Sequence, residues 1–462
     1  MQIIKGASGY AARLLGVQIY DAEKEYRVSP FCIFVTAEDG NVLAANLLTR
    51  EILLLSVEEL AFLQGNRFCG ALARTFAEKW YLVAPEFDAY ETVERVRALV
   101  AAAKSTPDVI LDYQILVTHD CNARCFYCYE TDRIARHVPM SEKTANAVAD
   151  YILAHAHGKR VMLRWHGGEP LYNIEAIRTI VRRLTAAGQD FISEIYTNGY
   201  LFDADIVREG MEAWHLMRVQ ISLDGTEEIY NTCKAYIYKD DPSPYQRVMR
   251  NIGLLLETGV TLYLRVNIDR HNMDMLKSLA DELYARFGSP ENLGVYAVGL
   301  YEDRENINTV RTADGRTEIV NAIIEFDNYC RRLGIARENP LGNNIKLRRC
   351  LADNPSAIQI FPEGQLSKCD HAAEGCLCGD VVHGVLSQEA VTMWRERANS
   401  PANCRGCAIY TDCIRLKNCR DDGPAECDAS YKAERLHKLE NAVRFVYRRY
   451  LRAAQSENGE EK

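Results

Sequence analysis

In the central part of the chain, segments with the hydrophobic pattern of a strand alternate with segments that have the hydrophobic period of a helix. Short apolar runs typical of strands recur six times, at residues 113–118, 160–165, 192–196, 217–223, 261–268 and 295–300. Stretches of helical periodicity lie between them, for example at 142–156, 174–187, 244–258 and 273–287. This alternation indicates parallel βα units, and six units are too few for a closed eight-unit barrel. The pattern predicts an α/β fold, a partial (βα)6 TIM-like barrel with its chemistry at the carboxyl ends of the strands.

The two flanks of the barrel follow other patterns. Short apolar runs around an Asp39-Gly40 turn, followed by helical periodicity, predict a small α+β domain before the barrel. After about residue 340 the periodicity fails, until a closing helix begins near Ala429. The predicted domains are 1–108 (α+β), 109–310 (barrel), 311–345 (helical connection), 346–430 (cysteine-rich) and 431–462 (C-terminal helix and disordered tail).

Composition and charge narrow the class of protein. The chain has 462 residues, 48% of them hydrophobic, and a net charge of −9, which gives no general attraction to nucleic acid or anionic membranes. We find no apolar run long enough to span a membrane and no signal-peptide pattern at the N-terminus. We therefore expect a cytoplasmic protein without nucleic-acid or membrane partners.

Cysteine is the unusual component of this sequence. There are 16 cysteines, and ten of them fall after residue 329, most of them at short spacings. In a reducing cytoplasm such spacing favours soft metal centres over disulfides. Four isolated cysteines are better interpreted as small hydrophobic residues: Cys32, Cys69, Cys233 and Cys330.

Three cysteines share one short loop directly after the first strand of the predicted barrel. Cys121, Cys125 and Cys128 can ligate three irons of a 4Fe–4S cube and leave the fourth iron open for an outside ligand. Ferredoxin-type carriers supply a fourth cysteine, and none is present locally. A zinc site that includes His119 is the alternative.

The spacing of these cysteines, with Tyr127 before the last one, resembles the signature of the radical S-adenosylmethionine (SAM) superfamily. The resemblance implies a partial βα barrel that binds a 4Fe–4S cluster and SAM. In that family, one electron from the cluster cleaves SAM to a 5′-deoxyadenosyl radical, which removes a hydrogen from the substrate. It also implies an electron donor such as flavodoxin or ferredoxin.

Motifs at further strand ends match the same family. The resemblance assigns SAM contacts to Gly167, Gly168, Glu169, Pro170, Thr197, Asn198, Ser222 and Asp224. Relatives often carry an arginine soon after the Asp-Gly turn, where this chain has Lys234. Because lysine lacks the bidentate fork of arginine, Arg265 on the fifth strand is an alternative partner for the SAM carboxylate.

The C-terminal cysteines resemble the SPASM extension of radical SAM enzymes that modify peptides and proteins. The resemblance implies two auxiliary 4Fe–4S clusters, three clusters in all. It assigns Cys350, Cys369 and Cys419 to the first auxiliary cluster, and Cys404, Cys407, Cys413 and Cys427 to the second. A zinc ribbon at the Cys-x2-Cys pair remains an alternative.

Two features of this region stay open. Some relatives have another cysteine shortly after the first, but residues 351–356 contain none. The first auxiliary cluster therefore has an open iron or recruits Cys376 or Cys378. Asp370 follows Cys369, where an aspartate of sulfatase-maturing relatives is thought to accept a substrate proton. Asp370 is thus a candidate catalytic residue, or a carboxylate that orients the cluster loop.

The sequence thus favours a maturase of a ribosomally synthesised precursor peptide (RiPP), which installs a thioether, carbon–carbon or similar cross-link. The first alternative is an anaerobic sulfatase-maturing enzyme that forms formylglycine. The second is a non-catalytic zinc or iron–sulfur binding protein. Residues 1–108 resemble domains that hold a leader peptide as an added strand, or they form a structural cap over the barrel.

Overall fold

The computed structural model describes residues 1–103, 109–128, 130, 137–300, 313–369, 376–419 and 427–459. The chain divides into two compact units. The barrel unit consists of Thr106–Arg337 and Cys350–Glu396, and the flanking unit consists of Met1–Ser105, Glu338–Arg349 and Arg397–Lys462. The Asp370 prediction lies outside the described residues.

The N-terminal segment forms a small antiparallel sheet with helices. Its elements are β1 (Gln2–Lys5), α1 (Gly9–Leu15), β2 (Arg27–Val28), β3 (Cys32–Thr36), β4 (Val42–Asn46), β5 (Glu51–Leu54), α2 (Val57–Gln64), α3 (Gly70–Glu78), β6 (Leu82–Val83) and α4 (Ala89–Ala103). The sheet has the order β1-β5-β4-β3. The predicted hairpin joins β3 to β4, and Gly40 adopts the left-handed conformation that its turn requires. Ser56 and Glu59 form a capping box that begins α2.

The barrel unit contains six parallel strands joined by helices, as the alternating pattern predicts. Its elements are β7 (Asp112–Leu116), α5 (Glu142–Ala156), β8 (Val161–His166), α6 (Ile174–Ala186), β9 (Phe191–Thr197), α7 (Ala204–Glu212), β10 (Leu216–Ser222), α8 (Glu227–Lys234), α9 (Pro244–Glu257), β11 (Thr261–Ile268), α10 (Leu276–Phe287), β12 (Leu293–Gly299) and α11 (Ala313–Leu333). Neighbouring strands pair in chain order from β7 to β12. Alternate residues such as Trp165 and Val219 are fully buried in the core beneath the helices.

The cysteine-rich region contains short elements that the sequence pattern did not predict. They are β13 (Ala357–Ile360), β14 (Gln365–Ser367), β15 (Leu377–Asp380), β16 (Gly384–Val385), α12 (Gln388–Thr392) and α13 (Pro401–Cys404). The closing helix α14 (Ala429–Gly459), which the sequence does predict, follows them. Strand β13 pairs in parallel with β7, and β14, β15 and β16 follow in antiparallel order. The barrel sheet therefore continues past β7 to ten strands within the described residues.

Three separate stretches of the chain build the core of the flanking unit. One hydrophobic cluster includes Val93 of α4, Leu341 from the stretch after α11, and Val443 of α14. This grouping differs from the sequence-based division, which kept residues 1–108 apart from residues 346–430. Among the described residues, no helix is long and apolar enough to cross a membrane.

Candidate active site

The three-cysteine loop begins directly after β7 and is held by backbone hydrogen bonds. Cys121, Cys125 and Cys128 are each partly buried. The Cys128 N–H donates to the Cys125 carbonyl at 3.1 Å, which turns the chain between the last two cysteines. The Arg124 N–H donates to the Lys234 carbonyl at 2.7 Å, so the end of α8 supports the same loop.

Burial controls the protonation of these thiols. It raises the pKa of Cys121 and of Cys125 above the usual value, although the ammonium of Lys234 acts in the opposite direction at Cys125. A buried thiol stays protonated unless a cation compensates the thiolate, and metal ligation provides that compensation. The loop is therefore suited to bind a metal cluster.

The glycine turn after β8 packs directly on the cysteine loop. A Cβ at Gly167 would lie 2.3 Å from the Thr118 carbonyl oxygen, and a Cβ at Gly168 would lie 2.3 Å from that of Asp120. Hydrogen bonds fix the contact, from the Gly168 N–H to Thr118 at 3.0 Å and from the Glu169 N–H to Asp120 at 2.8 Å. Side chains do not fit here, which explains the need for two glycines.

Glu169 joins this turn to the end of β9. Its fully buried carboxylate accepts hydrogen bonds from the Thr197 hydroxyl at 2.8 Å, the Asn198 N–H at 2.8 Å and the Leu171 N–H at 3.1 Å. Burial raises the pKa of Glu169 to about 7, and these hydrogen bonds oppose that shift. Pro170 begins a short 3-10 turn after it.

Asn198 extends the same network to the first cysteine. Its side-chain amide donates to the Asn122 side-chain oxygen at 2.7 Å and lies 3.9 Å from the Cys121 sulfur. The ends of β7, β8 and β9 are thus tied together around the cysteine loop. The sequence analysis had assigned Asn198 to SAM and had not identified Asn122.

Asp224, after β10, is the centre of a second buried network. Lys234 lies 2.8 Å from an Asp224 carboxylate oxygen and donates to the Tyr127 hydroxyl at 2.8 Å. The Tyr127 hydroxyl also donates to Asp224. Burial disfavours the ammonium, but Asp224 raises the pKa of Lys234 well above its usual value. Lys234 is therefore a charged residue committed to Asp224 and Tyr127.

Arg265 occupies a different position from Lys234. It lies opposite Ser222 in the register of β10 and β11, and its Nε donates to the Asn267 side-chain oxygen at 2.9 Å. No other hydrogen bond or ion pair of this guanidinium is found with the described residues. Its terminal nitrogens are thus available to an anion, whereas the Lys234 ammonium is paired.

Two asparagines that the sequence analysis missed complete this network. Asn267 donates from its N–H and its side chain to Asp224, at 3.1 and 2.9 Å. Asn272 donates to the carbonyls of Asp224 and Asn267, at 2.8 and 2.7 Å. The sequence signal for Asn267 is its place two positions after Arg265, because residues two apart on a strand such as β11 point to the same face.

The four cysteines assigned to the second auxiliary cluster line one small cavity in the flanking unit. Cys404, Cys407, Cys413 and Cys427 share it with Asn399, whose side-chain amide lies 3.6 Å from the Cys404 sulfur. Cys404 and Cys413 are buried, while Cys407 and Cys427 are partly buried. Four thiols around one enclosed space suit a cluster ligated by four cysteines.

The cysteines assigned to the first auxiliary cluster belong to different units. Cys350 and Cys369 are in the barrel unit, whereas Cys419 is in the flanking unit. Of the two additional candidates, Cys378 is fully buried in the barrel core. The Ser367 hydroxyl oxygen lies 3.1 Å from the Cys369 carbonyl and 3.4 Å from the Cys376 carbonyl, so the main chains of these two residues are close together.

No three histidine, cysteine or acidic side chains of the described residues surround a position for a single metal ion. A 4Fe–4S cube spreads its thiolates over a larger volume, because each sulfur binds a different iron.

The fold and this site together define a class of protein. An open parallel βα sheet carries three cysteines after its first strand, and a double-glycine turn from the second strand packs against them. Residues 115–283 match the family model described as the Radical SAM superfamily. The chain therefore contains a radical SAM domain over these residues, as the cysteine motif predicts. Domains of this superfamily use a 4Fe–4S cluster and SAM.

A curated relative matches only part of this chain. The chain is 32% identical over 113 residues to an uncharacterised protein of Methanocaldococcus jannaschii, a match that covers 24% of this chain and 37% of the relative. The chain thus matches little more than a third of that relative's length.

Solved structures with a similar fold cover more of the chain. Native anSMEcpe with bound SAM and the Cp18Cys peptide has a TM-score of 0.55 and 15% identity, over 74% of this chain and 99% of that protein. Streptococcus suis SuiB has a TM-score of 0.48 and 14% identity, over 84% of this chain and 94% of SuiB. The first comparison shows a shared fold.

Proposed function

We propose that this protein is a radical SAM peptide maturase that modifies a ribosomally synthesised precursor peptide. The observation that carries the proposal is the cavity lined by Cys404, Cys407, Cys413 and Cys427. A second cluster site in a chain with a radical SAM domain is typical of the SPASM extension, which the sequence resembles. The structure of anSMEcpe with a bound peptide provides a precedent in a similar fold.

In this proposal the cluster and SAM, when bound, supply the radical that removes a hydrogen atom from the substrate. The residues of the chain hold and orient the two groups. Cys121, Cys125 and Cys128 would hold the cluster, and Glu169 would fix the turn that the family resemblance assigns to the amino group of SAM. We assign the SAM carboxylate to Arg265, because Lys234 is already paired with Asp224.

A variant of the cysteine loop tests the radical SAM assignment. We expect Cys125→Ala to abolish the formation of 5′-deoxyadenosine from SAM under reducing, anaerobic conditions, while about eight auxiliary irons per chain remain. Cys233→Ala is the matched control, since Cys233 is not a predicted ligand and stands next to Lys234, whose carbonyl accepts a hydrogen bond from the cysteine loop. Formation of 5′-deoxyadenosine by Cys125→Ala at the wild-type rate would overturn the assignment.

The identity of the first auxiliary cluster's fourth ligand belongs to the same proposal. We favour Cys376 over Cys378, because Cys378 packs in the barrel core whereas Cys376 lies beside Cys369. Iron content should fall in Cys376→Ser and stay unchanged in Cys378→Ser.

Strand β3 is the proposed site for a leader peptide. It is an edge of its sheet, and the pairing with β4 leaves the N–H and C=O groups of residues 32, 34 and 36 directed away from β4. An extended peptide can pair with such an edge. Two of these groups are already engaged: the Thr36 carbonyl accepts a hydrogen bond from Arg444, and the Cys32 N–H donates to the Ser29 carbonyl at 3.0 Å.

Proline at position 34 tests this edge without breaking the β3–β4 ladder, because the Phe34 N–H points outward. We expect Phe34→Pro to weaken precursor binding, measured by fluorescence anisotropy, more than Phe34→Ala, which keeps the N–H group. Equal affinities of the two variants would count against strand addition.

The chemical product separates this function from formylglycine formation, the first alternative that the sequence leaves open. Mass spectrometry of a co-expressed precursor should show the loss of two hydrogens for each cross-link. An aldehyde that reacts with a hydrazide probe would support the sulfatase-maturing alternative. The electron donor and the cytoplasmic location expected from the sequence stay part of this proposal.

A further inference from the structure

Arg97 of helix α4 is a buried cation whose hydrogen bonds end on the loop that carries Cys413. Its side chain is 2% exposed. One terminal nitrogen donates to the carbonyls of Tyr410 and Cys413, at 2.9 and 3.2 Å, and Nε donates to the Lys346 carbonyl at 3.0 Å. The Arg97 guanidinium therefore holds the main chain at Tyr410 and at Cys413, which is a predicted cluster ligand.

Neighbouring residues of α4 hold the same loop. Glu94 accepts a hydrogen bond from the Tyr410 hydroxyl at 2.7 Å, and Arg97 and Arg397 each lie 3.0 Å from its carboxylate. The ring of Tyr90 stacks on that of Tyr410 with centroids 5.0 Å apart. Helix α4 thus contacts the loop through charge, hydrogen bonds and ring packing.

A second buried cation reaches this loop from the N-terminal sheet. Arg50, which is 1% exposed at its side chain, forms an ion pair with Asp412 at 2.9 Å. Asp412 lies directly before Cys413. The backbone of Arg50 has a positive φ of 64°, which is uncommon for a residue other than glycine and is retained here by its surroundings.

A cluster with four thiolates is anionic, and its reduction adds a further negative charge. Cations and hydrogen-bond donors near a cluster raise its reduction potential, and the residues that orient the ligands increase its retention. Arg97 offers both effects, since it holds the Cys413 carbonyl and brings a buried guanidinium to the loop that carries this ligand.

We propose that Arg97 is a positioning residue for the second auxiliary cluster, so that the N-terminal segment is an integral part of that cluster site. This rests on the proposed ligands Cys404, Cys407, Cys413 and Cys427. This role of Arg97 is distinct from leader-peptide binding, because residues 89–103 are then needed to retain the cluster even when no peptide is present.

The test uses the full chain with Cys121, Cys125 and Cys128 changed to alanine, so that only auxiliary iron is counted. In this parent, Arg97→Leu and Arg97→Lys are compared with Arg95→Leu and Arg95→Lys. Arg95 is on the same helix and is exposed. The readouts are iron and sulfide per chain, the rate of iron release to a ferrous chelator, and the reduction potential from an anaerobic titration.

We expect Arg97→Leu to release iron about 10–100-fold faster than Arg95→Leu, or to lose about half of the auxiliary iron. Where the cluster is retained, its reduction potential should fall. Arg97→Lys should release iron faster than Arg95→Lys while its potential stays near that of the parent, because the charge is kept and the bidentate fork is lost. If Arg97→Leu is insoluble, the comparison of Arg97→Lys with Arg95→Lys decides the test.

Two results would overturn the inference, and they differ in what they imply. Matching release rates and potentials in the Arg97 and Arg95 variants would reject the role of Arg97 and leave the cluster ligands untouched. A parent that binds no auxiliary iron after anaerobic reconstitution would reject the proposed function together with the inference.

Discussion

At the scale of single residues, the site depends on buried charges that are paired. Lys234 and Asp224 are 2% and 1% exposed, and the two are 2.8 Å apart. Tyr127 connects this pair to the cysteine loop. A buried ion pair is costly to form but far more costly to break, because the remaining charge loses both its partner and water.

Lys234→Met should lower the free energy of unfolding by about 3–5 kcal/mol, because it leaves the Asp224 carboxylate buried without its cation. The measurement is urea unfolding followed by circular dichroism. Lys239→Met is the matched control, since Lys239 is exposed, and it should change stability by less than about 0.5 kcal/mol. Similar losses in both variants would show that the pair contributes little.

The double-glycine turn provides the second prediction at this scale. Gly168→Ala would place a methyl group 2.3 Å from the Asp120 carbonyl oxygen, so the turn must move away from the cysteine loop. We expect SAM affinity, measured by calorimetry, to fall about 10-fold or more. Gly253→Ala is the control, because a Cβ there meets only the Phe287 ring at 3.8 Å. Unchanged affinity in Gly168→Ala would contradict the observed packing.

At the scale of elements, the unexpected feature is β13. It pairs in parallel with β7, the strand that leads into the cysteine loop. Ile358 and Ile360 of β13 are buried in the same core as the barrel strands. The start of the cysteine-rich region is therefore part of the barrel sheet.

Ile360→Ala should destabilise the barrel unit by about 2–5 kcal/mol, because it leaves a cavity beside β7. Hydrogen exchange of the β7 amides should accelerate accordingly. Val385→Ala, at the end strand β16 with Val385 38% exposed, should leave these amides protected. Normal protection of β7 in Ile360→Ala would mean that β13 unfolds independently.

At the scale of the whole molecule, sequence-distant segments fold as one unit. The flanking unit combines the N-terminal segment, residues 338–349 and the C-terminal region from Arg397 onward. The Tyr447 hydroxyl of α14 donates to the Asp39 carboxylate at 2.9 Å, which joins the closing helix to the N-terminal hairpin. Loss of packing in one segment should therefore destabilise the other segments of this unit.

Leu439→Ala, in α14, tests this cooperativity. We expect it to cost about 2–5 kcal/mol and to accelerate hydrogen exchange in β4, which is far away in the sequence. Leu99→Ala removes the same atoms from a side chain that is 55% exposed, and it should have little effect. An effect confined to α14 would show that the segments unfold separately.

The sequence-based predictions agree best with the structure where the pattern they use depends only on neighbouring residues. The six barrel strands lie within about two residues of their predicted positions, because period and turn residues are properties of neighbouring positions. The strands β13 to β16 have two to four residues, which is too short for a period to be read. Their place in the sheet depends on β7, more than 200 positions earlier.

The sequence by itself determined the cysteine loop, the barrel pattern and the strand-end motifs, since spacing along the chain is enough to recognise them. Only the tertiary structure decided that Lys234 is paired with Asp224, that Asn267 links Asp224 to β11, and that Arg97 holds the Cys413 loop. Each of these depends on a contact between distant segments, where burial makes the partner of a charge or a polar group obligatory.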